Sequence, residues 1–219
     1  MYYIFMSTNI DYWEKVLENP TPPFRALFDA ESKYIRSCVP GNSKVLDIGC
    51  GNGRNIRSIV EMAKEIIGID NDPKAVDDAK KNLADFSGVK IILADALNLP
   101  FPDKSFDVVI FLDTLVNMKE NKVQTLKEMS RVLTDDGKII ISVYSEDAFD
   151  ARMDIYKIVN APINKIEGTK FTFDESLAAN VSEQFSKDDI ENLANQSGLG
   201  LVDCKKVPSI AYICTLVKK

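Results

Sequence analysis

The sequence predicts a doubly wound α/β fold, in which helices cover both faces of a mostly parallel sheet. Strand-like and helix-like segments alternate over roughly a hundred residues, which is typical of parallel sheets built from β-α-β units. Two of the strand segments, 89–94 and 106–112, are apolar at all but one position, which indicates burial on both faces. The last two strand segments are joined by a few residues around Pro208. So short a link predicts an antiparallel hairpin at the end of the chain.

Two helices are predicted before the first strand, of which the second is amphipathic. A short helix over 10–19 ends at the rigid break that begins with Pro20, and a second helix covers 24–38. The candidate core-facing residues of the second helix are Phe24, Leu27, Phe28 and Ile35. We interpret residues 1–40 as an N-terminal helical cap within a single domain of residues 1–219.

The middle of the chain carries five predicted strands, at 44–48, 65–70, 89–94, 106–112 and 138–144. Helices are expected between them, at 54–64, 73–86 and 120–132. Asp72 is a suitable N-cap for the helix that starts with Pro73, since proline is favoured at the first helical position. Asp135-Asp136-Gly137 is predicted to be a turn before the fifth strand.

The last quarter of the chain departs from this alternation. Residues 145–185 form an irregular insertion, with short strands expected at 170–175 and 179–185. A helix then begins at Ser186, in a sequence that resembles a capping box, and ends before Gly198. The hairpin strands follow at about 200–206 and 210–217.

The composition excludes several kinds of site. The chain has 219 residues, 45% of them hydrophobic, which is enough for one domain with a full core. It has no histidine, so Ser-His and Cys-His nucleophilic catalysis is impossible. The 4 cysteines stand alone, without a CxxC pair. A zinc site is therefore not expected, and the cysteines fit a reducing compartment.

The charge balance bears on partners and location. The formal net charge is −6 and no basic run occurs, which disfavours nucleic acid as a partner. The apolar start MYYIFM is too short to span a bilayer and lacks the basic start of a signal peptide. We therefore expect a cytoplasmic protein without membrane association, whose oligomeric state the sequence leaves open.

A glycine-rich loop, VLDIGCGNGRN at 45–55, follows the first predicted strand. It lacks the Lys-Ser/Thr of a P-loop, and the third glycine of a dinucleotide-binding loop would fall at Arg54. Acids stand at the ends of three strands: Asp47, Asp70 and Asp95. Three carboxylates would repel a pyrophosphate and attract a ligand with positive charge. A nicotinamide dehydrogenase is disfavoured for the same reasons.

The loop resembles the first motif of class I S-adenosylmethionine-dependent methyltransferases. The resemblance continues, in order, through IIGIDND, ILADALNLPF, FDVVIFLDTLVNM and DDGKIIISVY, and covers most of the chain from about residue 24. It implies a Rossmann-like sheet of seven strands whose last strand is antiparallel. It also implies S-adenosylmethionine as the cofactor, since this sulfonium compound carries the positive charge that the acids would attract.

The resemblance implies a role for ten residues. Gly49, Cys50 and Gly51 would lie against the methionine end of the cofactor, with Asp47 near its amino group. Asp70 would accept hydrogen bonds from both ribose hydroxyls, and Asn71 would border the adenine. The Asp95 carboxylate and the Ala96 backbone amide would bind the adenine edge. Phe111 and Leu112 would pass close to the methionine portion. Taken singly, Asp70 could equally be a strand-end acid and Asp95 a turn residue.

The catalytic residues are not fixed by the resemblance. The histidine pair of many small-molecule members is replaced by Val116-Asn117, and the Asn/Asp-Pro-Pro-Tyr signature of many amino-group methyltransferases is absent. Asp113 is the first candidate base, and a solvated acid or helix cap is its alternative. Tyr12 is a second candidate, which together with Trp13 could form a lid or simply pack.

Acceptor specificity is expected to lie in 1–40 and 145–185, because loops beyond the strand ends shape such sites. Arg25 could pair with the methionine carboxylate or lie on the surface, and Cys50 is interpreted as a small turn residue rather than a nucleophile. The predicted function is methyl transfer to a small molecule. The alternatives are methylation of a protein side chain and a non-catalytic, cofactor-binding regulatory subunit.

Overall fold

The computed structural model describes residues 9–174, 177 and 180–219. Its strands are β1 (Lys44–Ile48), β2 (Glu65–Asp70), β3 (Val89–Leu93), β4 (Phe106–Phe111), β5 (Leu133–Tyr144), β6 (Ile163–Glu167), β7 (Lys170–Phe173), β8 (Val181–Ser182), β9 (Leu199–Val207) and β10 (Ala211–Lys218). Its α-helices are α1 (Asn9–Glu18), α2 (Pro22–Cys38), α3 (Arg54–Ile59), α4 (Pro73–Asn82), α5 (Lys122–Val132), α6 (Phe149–Ile158) and α7 (Lys187–Gln196).

A seven-stranded sheet forms the centre of the molecule, in the order β3-β2-β1-β4-β5-β10-β9. The first five of these strands run parallel, whereas β10 is antiparallel to both β5 and β9. The predicted doubly wound fold with an antiparallel C-terminal hairpin is therefore confirmed. The strand order reverses at this point, since β2 and β3 lie on one side of β1 while β4 and β5 lie on the other. The carboxyl ends of β2, β1 and β4 therefore frame a crevice, where ligands of such sheets bind.

The central strands are buried because they are apolar and covered on both faces. In β4 the residues Val108 to Phe111 are all buried, and in β5 the run from Ile139 to Ile141 is completely buried. Helix α2 contributes Phe24, Leu27 and Ile35 to the same hydrophobic cluster, as its periodicity predicts. Phe28 is only half-buried, and the Arg54 guanidinium covers its ring at 4.5 Å from the centroid.

The prediction for the start of the fifth strand was wrong. Strand β5 begins at Leu133, which pairs with Phe106, and the next pair joins Lys138 to Val108. The predicted turn at 135–137 is therefore a bulge inside the strand, where extra residues of β5 stand opposite one residue of β4. Helices α3 and α4 also end earlier than expected, at Ile59 and Asn82.

The insertion at 145–185 is more ordered than its sequence indicates. It contains helix α6 and strand β6, neither of which was predicted. Strands β6, β7 and β8 form a separate antiparallel sheet, so two short strands do occur here, but they are shorter than the predicted 170–175 and 179–185. Residues 175 and 179, at the margins of those predictions, lie outside the described part, as do residues 1–8 of the cap.

The two ends of the insertion meet at the edge of the crevice. The Phe185 amide donates a hydrogen bond of 2.8 Å to the Tyr144 carbonyl, and Ser145 and Phe185 form an isolated β-bridge. The insertion therefore leaves the main sheet and returns to it at one point.

In the described residues, no helix is both long and apolar enough to cross a bilayer. The division into a cap, a core and an insertion stays a prediction.

Candidate active site

A cavity of about 440 Å³ lies at the carboxyl ends of the parallel strands. Its volume is in the range of small-molecule and cofactor sites. Eight of the ten predicted cofactor-binding residues line it: Gly49, Gly51, Asp70, Asn71, Asp95, Ala96, Phe111 and Leu112. The structure therefore brings together residues from four separate strand ends, although Asp47 and Cys50 do not reach the cavity surface.

The glycine loop fits closely under the cavity. Gly49 and Gly51 have φ values of 69° and 53°, a left-handed conformation that favours glycine. A Cβ atom at Gly49 would collide with the side chain of Thr114. The amides of Gly49 and Cys50 both donate to the Ile69 carbonyl, at 2.8 and 3.0 Å. These contacts fix the loop against the end of β2 and leave room for a ligand above it.

Asp70 is held in position by the backbone around it. Its Oδ2 accepts a hydrogen bond of 2.9 Å from the Gly51 amide, and its Oδ1 accepts one of 3.0 Å from the Asp72 amide. Burial raises the pKa of Asp70 above its usual value, against the lowering effect of these amides. The two carboxylate oxygens offer about four lone-pair sites, so Asp70 can also accept a hydrogen bond from a ligand hydroxyl.

Asp95 has the same kind of support at the end of β3. Its Oδ1 accepts a hydrogen bond of 2.9 Å from the Leu97 amide, which fixes the side chain in a turn. Asn71 and Ala96 line the cavity on either side of Asp70 and Asp95. Asp95 can hold the turn and bind a ligand at the same time, because a carboxylate oxygen accepts more than one hydrogen bond.

Asp47 lies behind the glycine loop and is an unusual buried acid. The residue is 1% exposed, and neither carboxylate oxygen has a hydrogen-bond partner within the described part of the chain. Burial raises the pKa of Asp47 to about 8, Arg54 opposes this rise, and Asp70 and Glu31 add to it. Cys50 is also buried, and burial raises the pKa of its thiol, which suits a turn residue and not a nucleophile.

A buried ionic cluster joins helix α2 to the strand ends. Glu31 is fully buried and receives a hydrogen bond of 2.8 Å from Arg54 and one of 2.6 Å from Ser142. Asp113 completes the cluster, with its Oδ2 at 3.7 Å from Arg54 Nη2 and its amide donating to Ser142 Oγ at 2.9 Å. The sequence interpretation missed Glu31, although it lies four residues from both Leu27 and Ile35 on the buried stripe.

Asp113, the first candidate base, lines the cavity directly after β4. It has a positive φ of 54°, and its buried Oδ2 has no hydrogen-bond partner in the described structure. Burial, then the neighbouring Glu31 carboxylate, raises the pKa of Asp113 well above its usual value. Its environment is therefore neither that of a solvated surface acid nor that of a helix cap.

The other end of the cavity is an aromatic wall, which consists of Tyr12, Trp13, Tyr144, Tyr156 and Phe173. These residues come from α1, β5, α6 and β7, so that cap, sheet and insertion all contribute. Trp13 also packs edge-to-face on two rings of α2, Phe24 and Phe28, at centroid distances of 6.5 and 6.2 Å. Trp13 therefore both packs against α2 and lines the cavity. Arg25 is exposed on α2 and does not line the cavity.

Arg152 supports the aromatic wall from behind. It is fully buried, lies 5.0 Å from the ring centroid of Tyr144 and 4.6 Å from that of Phe171, and has no carboxylate partner in the described structure. Its guanidinium donates to Ser182 Oγ at 2.8 Å and to the Thr169 carbonyl at 2.9 Å. This contact links α6 to the insertion sheet. The sequence signal was the spacing of Phe149, Arg152 and Tyr156 along one helix face.

Comparison with known proteins identifies the family. A sequence model described as "Methyltransferase domain" matches residues 41–198, which include the glycine loop, the strand-end acids and most of the insertion. The chain belongs to this methyltransferase family. The family, the fold and the S-adenosylmethionine cofactor predicted from the sequence are thereby confirmed.

Curated relatives differ in what their names say they act on. The chain is 31% identical over 148 residues to the "Probable tRNA methyltransferase 9B" of Mus musculus, with 64% of this chain and 31% of that protein covered. It is 29% identical over 171 residues to a demethylmenaquinone methyltransferase of Staphylococcus saprophyticus, with 75% and 73% covered. The chain spans about a third of the mouse protein's length, and 57% of that of a Methanocaldococcus jannaschii relative.

Solved structures share the fold. The PH0226 protein of Pyrococcus horikoshii OT3 has a TM-score of 0.71 at 24% identity, with 91% of this chain and 93% of that chain covered. A Burkholderia thailandensis 1,6-didemethyltoxoflavin-N1-methyltransferase, solved with its acceptor and S-adenosylhomocysteine, also has a TM-score of 0.71, at 15% identity and with 95% and 83% covered.

The residues at the strand ends fit the cofactor. The Asp70 carboxylate lines the cavity and can accept a hydrogen bond from a ribose hydroxyl, whereas Asp47 lies behind the loop and does not reach the cavity. The left-handed glycine loop permits close approach of the ligand to the backbone. The individual roles of these residues stay predictions.

Proposed function

We propose that this protein transfers a methyl group from S-adenosylmethionine to a small-molecule acceptor. The observation that carries this proposal is a single cavity in which the predicted cofactor residues and the aromatic wall face each other. When bound, the cofactor supplies a methyl group on a sulfonium, so that transfer breaks the S–C bond, leaves the electron pair on sulfur and bonds the methyl group to the acceptor. The cavity brings the acceptor into line, which can supply roughly 7–11 kcal/mol of the barrier reduction in model reactions.

Asp113 is proposed to take the proton when the acceptor atom carries one. It lies between the cofactor residues and the aromatic wall, and its Oδ2 has a free lone pair. A raised pKa brings a carboxylate closer to the basicity that proton transfer near neutral pH requires. Arg54 and Ser142 hold this carboxylate in place. Tyr12 is the second candidate, but burial raises the pKa of its phenol, which disfavours it as a base.

The rival functions differ in which molecule is methylated, or in whether any methylated product forms. Methylation of a protein side chain would use the same cofactor contacts with a larger acceptor, and a regulatory subunit would bind the cofactor without producing methylated product. Relatives named for tRNA keep a nucleic acid acceptor as a third rival. The acidic balance of this chain, with 33 Asp and Glu against 27 Lys and Arg, favours the small molecule.

The deciding experiment begins with calorimetric titration of the purified chain with S-adenosylhomocysteine, with NAD as the control ligand. Saturable binding of the first alone is expected. Radioactive methyl transfer to a metabolite panel, a protein extract and bulk tRNA then separates the acceptor classes. Product from the tRNA or protein arm alone would overturn the small-molecule proposal, and tight binding without any product would favour a regulatory subunit.

A further inference from the structure

The cavity wall that the cofactor residues leave free has a distinct chemistry. The cofactor residues lie over β3, β2, β1 and the end of β4. The aromatic wall comes from the end of β5, the insertion and α1, with Met118 and Leu177 adding to its apolar surface. The space between β4 and the insertion is therefore the position of the methyl acceptor, if the proposed function holds.

The charges around this space exclude one class of acceptor. Among the described residues that line the cavity, none is a lysine or an arginine. Four aspartates line it: Asp70, Asp72, Asp95 and Asp113. An acceptor with a carboxylate or phosphate would meet these acids without a lysine or arginine of the cavity wall to pair with, in a site where burial makes uncompensated charge costly.

The rings of the wall favour a flat acceptor. Trp13, Tyr144, Tyr156 and Phe173 offer ring faces and edges around one space, and aromatic rings prefer stacked or edge-to-face contacts with other rings. Tyr156 is held by a hydrogen bond of 2.8 Å to Ser182 Oγ and packs edge-on against Phe171 and Phe173. The wall is therefore a fixed surface with little freedom to adapt to a flexible chain.

The Tyr12 hydroxyl is a buried polar group of the wall that lacks a partner among the described residues. The Tyr156 hydroxyl, in contrast, is satisfied by Ser182. A buried hydroxyl without a partner costs free energy, so such a group is normally bonded to something. Because Tyr12 lines the cavity, a bound molecule is well placed to supply that partner.

We infer that the acceptor is an uncharged, flat, ring-containing small molecule, and that the Tyr12 phenol makes a hydrogen bond to it. Tyr12 and the aromatic wall determine acceptor specificity, while Asp70 and the glycine loop serve the cofactor. This inference rests on the proposed function, but its binding test does not require turnover.

The test compares two probes that differ by one charge. Calorimetric titrations of the full chain use naphthol and the hydroxynaphthoate that carries one added carboxylate, each with and without S-adenosylhomocysteine. Naphthol is expected to bind at least tenfold more tightly than hydroxynaphthoate. Equal or tighter binding of hydroxynaphthoate would overturn the inference, as would binding of bulk tRNA by a chain that binds neither ring compound.

A pair of variants tests the hydroxyl. Tyr12→Phe removes one oxygen atom and is expected to weaken naphthol binding about 3- to 10-fold, with unchanged S-adenosylhomocysteine affinity. Tyr212→Phe is the matched control, because Tyr212 does not line the cavity and its hydroxyl bonds Glu146. Unchanged naphthol affinity in Tyr12→Phe would overturn the role of the phenol. Naphthol binding by a chain that fails to bind S-adenosylhomocysteine would support the ring site and refute the proposed function.

Discussion

The two ends of the cavity are built in different ways. The cofactor end comes from one stretch, residues 47–112, in which Asp70 and Asp95 stand at strand ends and accept hydrogen bonds from neighbouring backbone amides. The aromatic wall comes from three distant segments, and its side chains are fixed by ring packing and by the buried Arg152. The first end therefore depends on the main sheet, and the second depends on how the cap and the insertion pack over it.

This difference predicts that substitutions will separate into two groups. Changes behind the aromatic wall should affect acceptor binding and stability while the cofactor still binds. Changes at the strand ends should weaken cofactor binding while the insertion stays folded. Each of the following variants tests that separation.

Arg152→Ala should have the largest effect. It leaves several buried acceptors unpaired, and each such group costs about 1–3 kcal/mol, so the free energy of unfolding should fall by at least ~3 kcal/mol. Folded protein should still bind S-adenosylhomocysteine with an affinity within threefold of wild type. Denaturant unfolding and calorimetry measure the two quantities. Lys157→Ala, at an exposed position on the same helix, is the control, and equal losses in both variants would refute the supporting role of Arg152.

Asp70→Ala should reduce cofactor affinity at least tenfold. It removes charge-assisted hydrogen bonds worth roughly 1.5–3 kcal/mol each. Asp77→Ala is the matched control, because Asp77 is exposed on α4 and does not line the cavity. Calorimetric titration with S-adenosylhomocysteine measures both variants, while naphthol affinity should stay unchanged. An Asp70→Ala chain that binds the cofactor normally would refute the ribose assignment.

The buried Asp47 carboxyl should make the free energy of unfolding decrease as the pH rises. Its pKa is raised from 3.8 to about 8 by burial, so between these values the folded protein holds a proton that the unfolded chain releases. The free energy of unfolding should therefore decrease by up to about 1.4 kcal/mol per pH unit across this window. Asp47→Asn should flatten the dependence, as measured by denaturant unfolding from pH 5 to 8. Identical slopes in the two proteins would show that the buried carboxyl does not titrate there.

Trp13→Ala should raise the KM for the acceptor about 3- to 10-fold, because one aromatic contact is worth roughly 0.5–1.5 kcal/mol. The affinity for S-adenosylhomocysteine should change less than twofold. Trp13→Phe keeps a ring at this position and should restore most of the loss. A cofactor affinity that falls as much as the acceptor KM rises would mean that the aromatic wall is not separate from the cofactor end.

The sequence predicts which strand-end residues meet at the cavity for a physical reason. A strand that ends on an acid beside a tight glycine turn has little freedom in where its side chains lie, so order and spacing are enough to bring Gly49, Asp70 and Asp95 to one edge. Asp47 shows the limit, because its position in the motif does not reveal that its carboxylate lies behind the cavity surface.

The aromatic wall could not be predicted in the same way. An apolar residue that lines a cavity has the same pattern as one in the core, so Tyr144 and Phe173 carried no separate signal. Arg152 and Glu31 were missed because charged residues are assumed to be exposed. Their positions on the buried stripes of α6 and α2 were visible in the sequence and would have indicated burial.

The meeting of the insertion's two ends has an evolutionary consequence. Tyr144 and Phe185 are hydrogen-bonded neighbours, so the segment between them forms a closed loop. The hydrogen bond that closes this loop can form whatever the length of the segment. Each doubling of such a loop costs only about 0.6 kcal/mol in closure entropy. Descendants of this chain can therefore lengthen, shorten or replace that segment at little cost to the main sheet. New substrates can be acquired at this one junction, while the methyl donor is inherited unchanged.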